Sequence, residues 1–224
     1  MRDGSETSNQ KRVEDRDPMP KETRLHLIHM DAPDDVHGLQ ERIANGSMDP
    51  ARLYAVMGKT EGNGCVNDFS RALSLRAVRD ALGDHAEGIA FVFSGGTEGG
   101  LSPHLLCFEV IESEAHPSAI PGETHAMAIG TAITPDLLPE DIGTEVQIQS
   151  VARGVKQAME RAGIDRHEDV HFVQVKCPLL TIERVAEAAA RNKTSATLDT
   201  LKSMGISRGA SSLGVGIALG EVWH

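Results

Sequence analysis

Residues Tyr54–Leu82, YAVMGKTEGNGCVNDFSRALSLRAVRDAL, carry the reading from which the fold follows. A short apolar run from Leu53 to Met57 has the character of a buried strand. It leads to Lys59, then to a glycine-rich loop, then to a helix starting at Phe69. Gly58-Lys59-Thr60 invites a phosphate-loop reading, but that loop needs a glycine five residues before Gly58, and Leu53 stands there. Gly62 and Gly64 permit tight backbone turns, and Asn67 or Asp68 can cap the helix. Phe69, Leu73, Ala77 and Ala81 recur every four residues and read as its apolar face, closed by Gly83. Arg71 lies in the first turn, where a cation opposes the helix dipole, so its placement hints at a job other than helix stability.

Working outward, residues 1–22 are almost wholly polar and cannot bury a core, so a disordered extension is expected, with Met19 an alternative start to Met1. Arg24–Met30 alternates as a strand does, Val36–Ala44 fits a short helix, and Asp49-Pro50 marks a turn. Ile89–Phe93 reads as a further buried strand that runs into SGGTEGGLSP, a loop whose amides can surround an anion or a carbonyl oxygen. Leu105–Ile111 reads as another strand, and residues 116–123 as a linker. Beyond it the strand patterns His125–Thr131 and Val170–Val175 and the helical patterns Ile142–Ala162, Thr181–Ala190 and Ser207–Leu219 follow. The last helix is rich enough in glycine to need close packing, while Gly214, Gly216 and Gly220 miss the dinucleotide-binding spacing.

The two halves repeat. YAVMGK is matched by HFVQVK, RLHLIHM by HAMAIGT, and SRALSLRAVRDAL (Ser70–Leu82) aligns without a gap on SRGASSLGVGIAL (Ser207–Leu219). Lys59 thus pairs with Lys176, Arg71 with Arg208 and Ser74 with Ser211. Recurrence turns residues that are individually bland into a constellation: alone, Lys59 reads as a solvated loop lysine, Arg71 and Arg208 as surface arginines, and Ser94-Gly95 as an ordinary turn. The repeat predicts α/β units at residues 23–115 and 124–224. A counterpart of Ser94 in the second would fall at about position 231, past His224, so the second unit is expected to be incomplete.

Composition narrows the partners. A net charge of −11, 3% aromatics and no basic stripe argue against nucleic acid. No apolar run approaches the roughly 18 residues of a membrane span, and no signal-peptide core precedes the first strand. Cys65, Cys107 and Cys177 are widely spaced and odd in number, which suits reduced thiols and a cytoplasmic setting. No metal-ligand spacing joins His104 and His125, which read as structural or surface residues.

GKTEGNGCVNDFSR, FSGGTEGGLSPH, VHFVQVKCPLLT and SMGISRGASSLGVGIALGE resemble segments of the cyanuric acid amidohydrolase/barbiturase family of ring-opening amidohydrolases, and the resemblance covers residues 24–223. It implies an α/β fold of pseudo-symmetric units, three in a toroid about a central site, of which about one and two-thirds are present here. Carried over by position, Lys59, Arg71, Ser94 and Gly95 come from the first unit and Lys176 and Arg208 from the second. The resemblance makes Lys176 the general base, its partner serine absent, and makes Arg71, Ser94, Gly95 and Arg208 binding residues beside Lys59. It implies no cofactor in this chain, since the family's metal site belongs to the third unit, and a homotetrameric assembly. The implied reaction is ring-opening hydrolysis of cyanuric acid to carboxybiuret. Barbiturate hydrolysis, and an inactive truncated fragment or binding subunit, stand as alternatives.

Overall fold

A computed structural model of the chain describes residues 21–96, 100–112 and 127–222. The chain divides into two compact units, Met1–Ile129 and Gly130–His224. Most of the anticipated N-terminal extension, the linker at 116–123, His125 and Thr97–Gly99 of the second glycine turn lie outside the described residues.

Unit 1 is a four-stranded mixed sheet with helices. Strands β1 (Lys21–His29), β2 (Leu53–Lys59), β3 (Ala90–Ser94) and β4 (His104–Glu112) lie in the order β1-β4-β2-β3. The first strand therefore begins two residues inside the stretch expected to be disordered. β4 is antiparallel to both β1 and β2, whereas β2 and β3 run parallel. Parallel neighbours need a crossover, and helix α2 (Ser70–Leu82) provides it; α1 (His37–Ala44) links β1 to β2. One sheet face carries Ile28, Val56, Phe93, Leu105 and Cys107, which form a core with Leu39, Val78 and Leu82 from the helices.

That core corrects the expected face of α2. Its buried positions are Ser70, Ser74, Val78 and Leu82, while Phe69 is 75% and Leu73 39% exposed. Both series have four-residue spacing and differ by one position, a rotation of about 100° about the helix axis. The hydroxyls won over the larger apolar groups because each finds a partner below: Ser70 bonds Thr60 and Asp68, and Ser74 Oγ approaches the Met30 sulfur at 3.9 Å.

Unit 2 contains α3 (Glu145–Ala162), α4 (Ile182–Ala190) and α5 (Thr200–Ala218). Each starts at a side-chain cap, Thr144, Thr181 and Asp199 respectively. The Asp199 cap starts α5 seven residues before the expected Ser207. Val151, Ala152 and Val155 of α3 pack on Ala218 of α5. A Cβ at Gly214 would come within 2.5 Å of the Ile148 carbonyl oxygen, so glycine there is what lets the two helices approach.

The strands expected at His125–Thr131 and Val170–Val175 do not form among the described residues. Residues 127–138 and 170–180 form no strand, and His125 and Ala126 lie outside the described residues. Unit 1 supplies the reason. Its equivalents, β1 and β2, do not pair with each other; each pairs with β4. Among the described residues of unit 2 no strand occupies the place of β4, so the pattern has no ladder to join.

Candidate functional site

The carboxyl ends of the parallel strands β2 and β3 bring the first-unit residues together, the position at which open α/β sheets bind ligands. Lys59 stands opposite Ser94 across the parallel ladder and opposite His104 across the antiparallel one. Lys59 Nζ donates to the Gly95 carbonyl at 2.9 Å and to Ser94 Oγ at 3.3 Å. Ser94 is exposed and Lys59 half-buried, so the pair faces an accessible edge.

The glycine loop between β2 and α2 is tied to this edge by Asp68. Its Oδ2 accepts from the Gly64 N–H at 2.8 Å; its Oδ1 accepts from the Ser70 N–H at 2.9 Å and the Ser70 hydroxyl at 2.5 Å. Arg71 Nε lies 3.7 Å from Oδ2. Burial pushes the Asp68 carboxyl up, but the Ser70 hydroxyl, the two backbone N–H groups and the Arg71 charge outweigh it and hold the group below its ordinary value. Thr60 extends the network, bonding Ser70 Oγ at 2.7 Å and, through its N–H, the Ser94 carbonyl at 3.0 Å. Arg71 Nη2 also donates to the Cys65 carbonyl at 2.5 Å. Arg71 is thus held from two sides, which accounts for a cation in the first turn of α2.

Glycines make this closeness possible. A Cβ at Gly62 would fall 1.9 Å from Asp68 Oδ1, and one at Gly95 would fall 1.8 Å from Oδ2. Gly64 has φ +71°, in the left-handed region that favours glycine.

Unit 2 holds its counterparts differently. Ser207 and Ser211, like Ser70 and Ser74, are buried, so the alignment of the two helices holds at these positions. Their partner is Gln147, whose Nε2 donates to Ser207 Oγ and Ser211 Oγ, both at 2.9 Å, and to the Ser207 carbonyl at 3.0 Å. Gln147 Oε1 accepts from the Gly143 N–H at 2.7 Å. Lys176 is exposed on the segment that forms no strand, and Arg208 is exposed on α5. No strand register fixes Lys176 as β2 and β3 fix Lys59. A groove of about 410 Å³ beside α3, lined by Thr134, Arg153, Lys156 and Glu160 among others, includes none of the anticipated site residues.

The sequence reading missed Asp68 as the centre of the network, along with Thr60, Ser70 and the Cys65 carbonyl. Asp68-Phe69-Ser70, flanked by Gly62 and Gly64, was the available signal: a capping carboxylate crowded by glycines. Among the described residues no three His, Cys, Asp or Glu side chains converge as a metal would require.

The sequence and fold have known relatives. A family model described as amidohydrolase ring-opening protein matches residues 24–224. The cyanuric acid amidohydrolase of Azorhizobium caulinodans is 55% identical over 203 residues, covering 89% of this chain and 56% of the relative. That of a Bradyrhizobium strain is 51% identical over 209 residues, covering 90% and 55%. The crystal structure of the cyanuric acid hydrolase from A. caulinodans superposes with a TM-score of 0.84 at 52% identity, covering 91% of this chain and 56% of that one. A second cyanuric acid hydrolase, described as an evolutionary innovation by structural concatenation, gives 0.82 at 43% identity over 92% and 57%. The chain spans about half the length of the curated relatives it matches.

Proposed function

Since the chain belongs to the ring-opening amidohydrolase family, we propose that it serves the ring-opening hydrolysis of a cyclic amide, with cyanuric acid as the substrate. The observation that carries this reading is the Lys59–Ser94–Gly95 edge at the ends of two parallel strands, with Arg71 braced on the loop beside it. Cyanuric acid is a planar ring of alternating carbonyl and N–H groups that ionises readily. An ammonium, a guanidinium and a serine hydroxyl match that edge, the guanidinium through its fixed fork of donors.

Hydrolysis of this kind proceeds when a serine oxygen adds to a ring carbonyl carbon while a neutral lysine amine takes the hydroxyl proton. Negative charge collects on the carbonyl oxygen, where backbone N–H donors stabilise it. Collapse breaks the ring C–N bond, and the leaving nitrogen takes the proton from the lysine. Water then cleaves the acyl-serine to release carboxybiuret, which loses carbon dioxide. In this reading Lys59, Arg71, Ser94, Gly95 and Arg208 hold the ring, and Lys176 keeps the role of base toward a serine that none of these residues supplies. The 3.3 Å approach of Lys59 Nζ to Ser94 Oγ supports a lysine–serine pairing as the unit of this chemistry. A homotetramer and a cytoplasmic location belong to the same reading.

The test is the purified chain mixed with cyanuric acid, followed by chromatography for ring opening and by calorimetry for binding. Turnover supports hydrolysis, and a faster rate on barbituric acid reassigns the substrate. A second reading, binding without turnover, is favoured by the exposure of Lys176 on a segment that forms no strand. Heat of binding without product supports it. Neither heat nor product refutes both. Lys59→Ala is expected to weaken cyanurate binding at least tenfold, about 1.4 kcal/mol.

A further inference from the structure

A buried carboxylate is an odd neighbour for a site that binds an anionic ring, and its placement explains why it is tolerated. Asp68 has a side chain only 1% exposed. Its two oxygens accept three hydrogen bonds, from the Gly64 N–H, the Ser70 N–H and the Ser70 hydroxyl, and Arg71 Nε adds its charge at 3.7 Å. Gly62 covers Oδ1 and Gly95 covers Oδ2 so closely that neither glycine has room for a Cβ. The carboxylate thereby touches each of the three parts of the site: the loop that carries Cys65, the root of the Arg71 guanidinium, and the Gly95 turn that receives Lys59 Nζ. None of these links follows from helix capping alone, which the Ser70 N–H bond already satisfies.

We propose that Asp68 is the positioning residue of this site, aligning Arg71 and the Ser94-Gly95 turn against Lys59 without touching the ligand itself. The inference rests on the reading of the edge as a cyclic-imide site. Its negative charge is consumed by surrounding donors, so the ammonium and guanidinium are left to meet the anion. Arg71 depends on it for direction, since one of its two fixed contacts is the Asp68 carboxylate and the other the Cys65 carbonyl. Loss of the carboxylate leaves both cations present and misaligned.

The test uses Asp68→Asn, which keeps the shape and removes the charge, and Ser70→Ala, which keeps the carboxylate and removes one of its donors. The first measurement needs no ligand: NMR exchange of the Arg71 Nε–H, expected to quicken at least tenfold in Asp68→Asn. The second is a double-mutant cycle on cyanurate affinity, measured by calorimetry well below each variant's melting temperature. Arg71→Lys is expected to cost at least tenfold in the wild-type chain and less than threefold beside Asp68→Asn, because the misaligned guanidinium has little left to lose. A purely structural Asp68 would lower the melting temperature and leave the two losses additive, which overturns the proposal. So does unchanged Nε–H exchange. If the wild-type chain takes up no cyanurate, the functional reading fails, and the exchange measurement alone decides Asp68. If Asp68→Asn does not fold, as circular dichroism will show, Ser70→Ala decides through the same exchange, expected to quicken about threefold.

Discussion

The two units set the same sequence device in different surroundings. In unit 1 an apolar run ending in lysine becomes β2, held between β4 and β3. In unit 2 the matching run Val170–Val175 forms no strand. Both carry valine and a following lysine, and the run that forms no strand is the richer in β-branched residues, so local preference does not separate them. The difference is a partner. A strand places half its backbone hydrogen bonds on each neighbour, and an extended segment without neighbours leaves those groups to water. Apolar alternation is therefore a claim about where a segment fits, and the ladder decides whether it becomes a strand.

Hydrogen exchange breaks the comparison most directly. Amides of Ala55–Gly58 sit in the middle of the sheet, while among the described residues no backbone bond secures those of His171–Val175. The central β2 amides are expected to exchange at least about a thousandfold more slowly, since buried ladders open only in near-global unfolding. Comparable protection in the two segments would show that the second run has a partner after all.

The buried serines sharpen the comparison at the level of energy. Ser70 answers to Asp68 and Thr60; Ser207 and Ser211 answer to the fully buried Gln147. Replacing Gln147 by leucine strands the Gly143 N–H and the Ser207 hydroxyl in the interior of unit 2, while Ser211 Oγ keeps the Cys177 thiol at 3.3 Å. A loss of about 1–3 kcal/mol is expected from each such unsatisfied group, moderated where a hydroxyl turns to another acceptor. Urea unfolding followed by residue-resolved NMR measures it. A variant as stable as the parent would mean that the amide's partners are reached by water.

Cysteine chemistry gives a smaller and purely kinetic contrast. Burial pushes the Cys107 thiol up to about 12, while Cys65 lies exposed in the loop. Iodoacetamide at neutral pH should label Cys65 and leave Cys107 untouched until unfolding, because the thiolate is the reacting form. Early labelling of Cys107, read by mass spectrometry, would contradict its place in the core of unit 1.

Much of this was legible in the residues. The gapless match of Ser70–Leu82 to Ser207–Leu219 foretold two helices with serines in register, though not that both would bury them, and Lys59 and Ser94 were named before a register existed to join them. What failed did so for physical reasons. The face of α2 was misjudged because Phe69 and Leu73 outweigh serine on any hydropathy scale, while the serines had hydrogen-bond partners that no periodicity reveals. Strands in unit 2 were misjudged because pairing is a property of two segments. Asp68 was seen only as a cap because its other contacts come from Gly64 and the Gly95 turn, far apart in the chain and joined only when β2 and β3 lie side by side.

Acid separates the two units by the chemistry of their networks. The one in unit 1 is built on a carboxylate and the one in unit 2 on an amide, and only the first titrates. Asp68 is held below its ordinary value in the folded chain, so the unfolded chain binds the proton more readily. Its stabilising contribution is complete above the unfolded value of about 3.9 and is lost as pH falls through the lower, folded value. Between neutral pH and about 4 the Gly64 and Ser70 amide signals should therefore hold steady, then move together on further acidification. The Ser207 and Ser211 amides, facing Gln147, should not follow that transition. Asp68→Asn should abolish it in unit 1 and change nothing in unit 2. A midpoint at or above the ordinary aspartate value would mean that burial, which opposes ionisation, outweighs the donors around the carboxylate, and that the network is held together by something other than its charge.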